Sequence, residues 1–239
     1  RTFGPWDRSV AQSLNNLGLA LMQLGALERA RALYQRSIAI RDSLLGPGSE
    51  EAARTRLRLG LLHLRANAPA EAERVLRDAV AANQRALGRG HPWGADATIA
   101  LACALLRLDR RDEALGLALE AERATLSHLR TTAQGLDEVQ ALIHASTRSS
   151  GLQVALTLAA ASPADTALAT TAWDALSRSR FVVLDEMIAR RRWSAATADD
   201  TTRLLHERVA AARDRLARLA LQGAGLDSVG AARIEAAIA

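Results

Sequence analysis

The chain has 239 residues, of which 49% are hydrophobic and 3% aromatic. Because Ala and Leu dominate the hydrophobic residues, this composition favours closely packed helices over β-sheets. No run of eighteen uncharged apolar residues occurs, which argues against a membrane-spanning helix in this sequence.

The basic residues are all arginines, 31 of them against 26 acidic residues, for a net charge of +5. Residues 1–136 hold 19 arginines and 14 acids, whereas residues 137–239 hold 12 of each. The positive excess therefore lies in the first half, where it would steer an acidic partner towards the protein. A solvated arginine-rich surface is the plainer explanation, and both stay open.

The only cysteine, Cys103, excludes an internal disulfide and favours a reducing, cytoplasmic compartment. The sequence starts at Arg1 without an initiator Met or a charged-then-apolar leader, and it stops within a predicted helix at Ala239. We therefore expect it to be an excised or processed part of a longer protein.

Residues recur at a constant interval of 42 along the first half of the chain. Four sets keep this register: Leu17, Leu59 and Leu101; Gly18, Gly60 and Ala102; Ala30, Ala72 and Ala114; Leu45, Leu87 and Leu129. Small side chains are needed where two helices cross closely, and leucines fill the seam between them. A fixed period of this length predicts a stack of helix pairs, each burying its apolar face against its neighbours.

We predict three repeats, at about residues 11–52, 53–94 and 95–134, within an array over residues 1–134. The first helix of the first repeat carries an inward-facing stripe, because spacings of three and four residues share one helical face. This stripe comprises Leu14, Leu17, Gly18 and Leu21. The predicted fold class is all-α, an α-solenoid of antiparallel helix pairs followed by longer C-terminal helices.

These residues resemble the tetratricopeptide repeat. The family's small-residue positions match Gly18, Ala30 and Ser37, and its aromatic position matches Tyr34. The long period, with the phrases Leu14-Asn15-Asn16-Leu17-Gly18 and Leu45-Gly46-Pro47, resembles the kinesin-light-chain-like subclass. The resemblance covers roughly residues 10–130, although Ala102 and Ala118 replace the glycine and the aromatic in the third repeat. It implies a tetratricopeptide superhelix that binds other proteins.

Residues 135–239 keep helical signals without the register, and we predict a helical extension or linker there. Ser162, Pro163 and Asp165 predict a helix start with Ser162 as its N-cap. A further helix start is predicted at residues 197–200, and a last short helix from about Asp227.

Two phrases of this extension resemble the helical linker that joins such repeats to a CHAT domain in bacterial proteins. They are Ser149-Ser150-Gly151-Leu152 and Ser177-Arg178-Ser179-Arg180-Phe181-Val182-Val183-Leu184-Asp185. CHAT domains are similar to caspases, and several are cysteine peptidases. The resemblance therefore implies a downstream effector domain that this sequence does not include.

No catalytic, metal or cofactor site is predicted within the chain. Cys103 has no histidine within a helical turn, so we interpret it as an inert apolar residue. The five histidines share no ligand spacing with cysteines or acids, which argues against a metal site. Gly-rich phosphate-binding loops are also absent from the sequence.

In a tetratricopeptide stack the first helix of each pair lines the concave surface, so the resemblance implies a peptide-binding groove there. If the stripe defined above faces inward, the groove-facing positions follow from the register. They are Gln12, Asn16, Leu19 and Gln23 in the first repeat, Arg54, Arg58, Leu61 and Arg65 in the second, and Asp96, Ala100, Cys103 and Arg107 in the third.

Asn16 resembles the family's groove asparagine, whose amide hydrogen-bonds the backbone of an extended peptide. Arg58 and Ala100 replace it in the later repeats, so this backbone clamp is only partly present. The predicted groove arginines would pair with the carboxylates of an acidic peptide or with a free C-terminus. A solvated helix face, or salt bridges between repeats, is the alternative.

Three functions follow from these observations. The first is a protein-interaction scaffold that binds a peptide segment and regulates a downstream CHAT-type effector. The second is a stand-alone adaptor that recruits cargo without an attached enzyme. The third is a nucleic-acid-binding array, which the nearly matched acids and scarce aromatics disfavour.

Overall fold

The computed structural model describes residues 4, 6–88, 90–133, 136, 138–147 and 150–197, together with positions 208, 211, 212 and 215. Within these residues it contains nine α-helices, one short 3-10 helix at Pro92–Gly94 and no strand. The helices are α1 (Arg8–Gln23), α2 (Leu27–Leu45), α3 (Glu50–Arg65), α4 (Pro69–Leu87), α5 (Ala95–Arg107), α6 (Arg111–Ala133), α7 (Glu138–Thr147), α8 (Leu152–Ala161) and α9 (Thr166–Thr197). The predicted all-α solenoid is confirmed.

The chain divides into two compact units, Arg1–Leu184 and Asp185–Ala239. In the first unit, α1 packs on α2, α3 on α4 and α5 on α6, and consecutive pairs pack through α2 with α3 and α4 with α5. The predicted division after residue 134 remains a prediction. The helices predicted from residues 197–200 and from Asp227 lie outside the described residues.

The turn within each pair repeats at the 42-residue interval. Its central residues are Gly25, Asn67 and Asp109, with φ of 79°, 56° and 59°. The next backbone N–H donates to a carbonyl five residues earlier, at 2.9 Å in all three pairs. This is the Schellman arrangement, whose left-handed residue has to be Gly, Asn or Asp because other side chains are strained there. The same local chemistry therefore ends α1, α3 and α5.

The connection between pairs changes in the third repeat. Gly46 and Gly88 follow α2 and α4 with φ of 85° and 89°, which ends these helices. The position 42 residues after Gly88 is Arg130, which lies inside a helix. Because no glycine interrupts it there, α6 continues to Ala133.

Helix crossing within each pair explains the glycine register. A Cβ added to Gly18 would lie 2.8 Å from Cε1 of Tyr34, and one added to Gly60 would lie 2.4 Å from Cγ of Leu76. In the third pair the two positions are Ala102 and Ala118, both fully buried. The methyl group added at the small position thus partly offsets the larger side chain lost at the other position.

The prediction that Leu17 packs inward is wrong. Leu17 is 53% exposed, whereas Leu59 and Leu101 at the same repeat position are 4% and 2% exposed. Leu59 and Leu101 lie in clusters with residues of the preceding pair, for example Tyr34 beside Leu59. Among the described residues no helix pair precedes α1, so Leu17 lacks the surface that buries its equivalents.

At the other end of the array, α8 packs on the last helix pair. Val154 and Leu158 of α8 belong to the same buried cluster as Ala114 and Ala118 of α6. Gly151 permits this approach, because a Cβ there would lie 2.0 Å from the Ala118 carbonyl oxygen. A hydrogen bond of 2.7 Å from Ser150 Oγ to Glu122 Oε2 fixes the same turn.

The helix start predicted at Ser162 is displaced by three residues. The backbone N–H of Leu168 donates to Oδ1 of Asp165 at 2.9 Å, and α9 begins at Thr166. Asp165 is therefore the N-cap, and the prediction of Ser162 in that role is wrong. Ser162 instead accepts the N–H of Asp165 through its carbonyl oxygen at 3.0 Å.

Candidate functional site

A polar cleft lies between the first turns of α1, the end of α2 and the first half of α3. Its volume is about 550 Å³. The lining residues are Arg8, Ser9, Gln12, Asn15, Arg41, Glu50, Glu51, Arg54, Thr55 and Arg58. All ten side chains end in groups that form hydrogen bonds, and six of them are charged, so a ligand here meets a polar and mostly charged wall.

Arg41 is the structural centre of the cleft. It continues the buried face of α2 that holds Tyr34 and Ser37, and it is only 4% exposed. Its Nε donates to Ser37 Oγ at 3.3 Å, its Nη1 to Glu51 Oε2 at 3.1 Å, and its Nη2 to Gln12 Oε1 at 2.7 Å. Burial lowers the pKa of Arg41, yet a guanidinium stays charged in proteins. Arg41 therefore ties α1, α2 and α3 together around a fixed positive charge.

Glu51 balances part of that charge. Its carboxylate accepts hydrogen bonds from both Arg41 and Arg8. The hydrogen bond from Arg8 holds the pKa of Glu51 below its usual value, so the carboxylate is ionised at neutral pH. Arg54 pairs in the same way with Glu50, four residues before it on α3.

Arg58 brings an unused hydrogen-bond donor to the cleft. Its Nη1 atom is buried and has no hydrogen-bond partner within the described part of the chain. The hydroxyl of Tyr34 is likewise buried and unpaired there. Burial raises the pKa of Tyr34, while the nearby charge of Arg58 acts in the opposite direction. Leaving a buried donor unpaired costs about 1–3 kcal/mol, so the Arg58 guanidinium would be stabilised by turning towards an acceptor bound in the cleft.

The charges of the lining do not cancel. Four arginines and two glutamates contribute to it, which leaves two positive charges in the cleft. Because low-dielectric walls strengthen such a field, the arrangement favours an anionic ligand.

The structure brings together three of the predicted groove residues, Gln12, Arg54 and Arg58. Asn16 lies beside them without lining the cleft. Its amide oxygen accepts from Gln12 Nε2 at 3.0 Å and from Asn15 Nδ2 at 3.3 Å. Part of its hydrogen-bonding capacity is therefore used within α1 and is no longer available to a peptide backbone.

The remaining predicted groove residues lie away from the cleft. Leu19 is half-buried, and the exposed ones are Gln23, Leu61, Arg65, Asp96 and Arg107. Arg107 donates through Nη1 to the carbonyl oxygen of Leu64 and so completes the end of α3. Cys103 is half-buried, and burial raises the pKa of its thiol, which disfavours the reactive thiolate.

Sequence reasoning missed Arg8, Arg41 and Glu51. The repeat pattern places the residues of α2 in the seam between helices and therefore predicts none of them in the cleft. A signal was present, because Arg41 extends the helical face of Ala30, Tyr34 and Ser37 at spacings of four, three and four. A charged residue on the continuation of an apolar stripe indicates a buried ion pair or a site.

A second concavity, of about 210 Å³, lies between α6 and α9. It has an apolar floor that includes Leu119 and Leu126, with Arg123, Arg130 and Arg178 around it. At less than half the volume of the polar cleft, and below the range of about 300–1,000 Å³ typical of ligand sites, it is the weaker candidate.

Two further observations concern the described residues alone. None of their helices combines the length and apolar content needed to cross a membrane. Within the same residues, His, Cys, Asp and Glu form no group of three or more that could hold a metal ion.

Comparison with known proteins agrees with this architecture. The Tetratricopeptide repeat family matches residues 9–85, which span the first two helix pairs. The chain is similar to the crystal structure of BtubC (BKLC) from P. vanneervenii, with 15% identity, a TM-score of 0.52, and coverage of 83% of this chain and 68% of that one. At this identity the likeness shows the fold alone. No curated protein matches the sequence.

A crystal structure of the Podosopora anserina putative kinesin light chain with nearly identical TPR-like repeats also matches. Its identity is 16%, its TM-score 0.47, and the coverage 81% of this chain and 99% of that one.

The third helix pair lies beyond the family match. In this pair Ala102 and Ala118 replace the glycine and the aromatic residue of the first pair. Residues 9–85 thus match the Tetratricopeptide repeat family, and they lie within an all-α solenoid.

Proposed function

We propose that the polar cleft binds an acidic segment of a partner protein. The observation that carries this proposal is the buried, unpaired Nη1 of Arg58 in a cleft with an excess of two positive charges. A carboxylate of the partner accepts from Arg58 and removes the cost of the unpaired donor. Arg41 and Glu51 hold the geometry of the cleft and do not need to move for binding.

The proposal is tested by titrating a fluorescent octa-glutamate peptide into the chain, with an octa-glutamine peptide as the neutral comparison. We expect binding of the acidic peptide alone, weakening as salt is added because the charges are screened. Arg58→Gln should reduce the affinity about tenfold, since a hydrogen bond to a charged group contributes about 1.5–3 kcal/mol.

Arg74→Gln is the matched control. Arg74 is an exposed arginine of α4 outside the cleft, so its loss changes the net charge equally. We expect its affinity to remain close to that of the wild type. Equal affinities of wild type and Arg58→Gln, with circular dichroism showing both folded, would contradict the proposed site.

A second proposal concerns the larger protein in which this scaffold would act. We infer that it recognises a partner for a downstream CHAT-type domain, with the extension after residue 134 as the linker and the cytoplasm as its location. The support is the resemblance of residues 149–152 and 177–185 to linkers of that kind. Reading the gene beyond Ala239 tests this, since alternating strands with a His and a later Cys support it and a stop codon contradicts it.

A stand-alone adaptor is the alternative when no such domain follows. Nucleic acid is disfavoured as the ligand, because the cleft contains two carboxylates and its lining includes no aromatic side chain for stacking on bases. Binding of an RNA oligonucleotide at the affinity of the acidic peptide would reverse that ranking.

A further inference from the structure

One uncompensated positive charge of the polar cleft is shared by α1 and α2. Glu51 of α3 accepts hydrogen bonds from Arg8 of α1 and from Arg41 of α2. A single carboxylate balances only one of these two guanidinium groups, so the pair retains one positive charge. All three side-chain nitrogens of Arg41 donate within the protein, which holds this charge in place.

The second uncompensated charge is that of Arg58 on α3. Glu50 pairs with Arg54, whereas Nη1 of Arg58 is buried without a hydrogen-bond partner in the described part of the chain. Arg54 and Arg58 are four residues apart, so they are neighbours on one face of the helix. Like charges at this spacing destabilise a helix, and an anion bound beside them would relieve the repulsion.

The repeat fold does not require arginine at these positions. At the 42-residue interval, the equivalents of Arg41, Arg54 and Arg58 in the other repeats are neutral or acidic, although those repeats have the same turn between their helices. The equivalents are Asn83 and Thr125, Gln12 and Asp96, and Asn16 and Ala100, respectively. The positive charge is therefore a property of this cleft and not of the repeat.

A phosphorylated side chain matches this charge better than a carboxylate does. A phosphate monoester carries a charge of about −1.5 to −2 at pH 7 and three acceptor oxygens, so one group can neutralise both uncompensated charges. A carboxylate has one negative charge and two oxygens, and would leave one positive charge unbalanced. Arginine suits phosphate in particular, because its planar guanidinium donates two parallel hydrogen bonds to phosphate oxygens.

The cleft also has the size and polarity that a phosphorylated side chain needs. Its volume of about 550 Å³ falls within the range of about 300–1,000 Å³ that is typical of ligand sites. Ser9 and Asn15 add a hydroxyl and an amide to the lining, and both groups can donate to phosphate oxygens. Among the described residues, the lining includes no aliphatic or aromatic side chain, so charge and hydrogen bonds have to supply the affinity.

We propose that the polar cleft recognises a phosphorylated serine or threonine within the acidic segment of its partner, held between Arg58 of α3 and the pair formed by Arg8 and Arg41. This inference rests on the proposed function and makes its ligand more specific. The carboxylates of the segment are attracted to the positive cleft, and the phosphate accepts the unused hydrogen bond of Arg58. Glu51 keeps Arg8 and Arg41 in position.

Three fluorescent peptides test the proposal when each is titrated into the full chain. They are octa-glutamate and two variants of it that have phosphoserine or O-sulfoserine at the fourth position. We expect the phosphoserine peptide to bind about tenfold more tightly than octa-glutamate, because it adds at least one charge-assisted hydrogen bond. The sulfoserine peptide has the same tetrahedral shape with only a single charge, so it should bind like octa-glutamate.

Two arginine variants and a competitor locate the phosphate. Arg58→Gln should lose most of the preference for phosphoserine, since it removes one of the two uncompensated charges. Arg74→Gln is the matched control, because Arg74 is an exposed arginine outside the cleft, and it should keep the preference. Inorganic phosphate at the concentration of the peptide should not displace it, because free phosphate lacks the carboxylates of the segment.

The outcomes separate this inference from the proposed function. Octa-glutamate and phosphoserine peptides that bind equally well would overturn the inference and leave the proposed function standing. Equal binding of the phosphoserine and sulfoserine peptides, displacement by inorganic phosphate, or a full preference in folded Arg58→Gln would overturn it as well. If none of the acidic peptides binds, the proposed function fails together with the inference.

Discussion

At the C-terminal end of the repeat array α8 packs on the last helix pair, whereas at the N-terminal end the outer face of α1 is exposed. Both ends derive from the same helix-pair unit, and both have apolar outer faces. The end near α6 buries its face against Val154 and Leu158 of the chain itself. The α1 end keeps Leu17 and Leu24 exposed, at 53% and 81%. Identical repeat positions therefore have different surroundings according to their place in the stack.

The largest expected effect is at the covered end. Gly151→Ala places a Cβ 2.0 Å from the Ala118 carbonyl oxygen, so α8 has to move away from α6. We expect a loss of about 3 kcal/mol in the free energy of unfolding, measured by urea denaturation.

Gly116→Ala is the control for this prediction. Gly116 lies inside α6, and nothing lies within 4 Å of an added Cβ there. It should stabilise the protein by about 0.5–1 kcal/mol, because Ala is the better helix former. If both substitutions stabilise the protein, α8 does not pack closely on α6 at Gly151 as described above.

An intermediate loss of stability is expected from substitutions where α3 and α4 cross, because the second helix pair differs there from the third. Gly60→Ala should cost about 2 kcal/mol, because its Cβ would meet Leu76. In a Leu76→Ala background the same change should cost much less, as it then reproduces the Ala102 and Ala118 crossing of the third pair. A double-mutant cycle by urea denaturation should give a coupling of about 1–2 kcal/mol, and purely additive effects would contradict the offset between the two positions.

The smallest effect concerns pH. His63 is 8% exposed, and the register places Leu21 and Leu105 at its equivalents. Burial lowers the pKa of His63 from 6.5, so the unfolded state binds the proton more readily. Its neutral form supports the fold above pH 6.5, and that support is lost as the pH falls below this value.

His63→Leu should therefore flatten the loss of stability between pH 7 and pH 5, as followed by thermal unfolding. His128→Gln is the control, because His128 is exposed. An unchanged pH profile for His63→Leu would mean that protonation elsewhere governs the acid sensitivity of the fold.

The fold could be predicted because small residues, and residues that readily adopt a positive φ, recur at the 42-residue interval. Gly18 and Gly60 mark the close crossings, and Gly25, Asn67 and Asp109 mark the turns that end α1, α3 and α5. These are local constraints, which each repeat satisfies by itself.

The site could be predicted only in part. Gln12, Arg54 and Arg58 follow from the helical face, but Arg41 belongs to the cleft through contacts with α1 and α3 that no single helix reveals. The exposure of Leu17 could not be inferred either, because its sequence pattern equals that of Leu59 and depends on what lies beside it.

The central claim is that the polar cleft binds a carboxylate through Arg58, whose Nη1 is buried and unpaired within the described part of the chain. Titration of the octa-glutamate peptide into the wild type, Arg58→Gln and the charge-matched Arg74→Gln tests it most directly. We predict that Arg58→Gln binds the peptide about tenfold more weakly, while Arg74→Gln binds it as the wild type does. Equal affinities of all three folded proteins would contradict the claim.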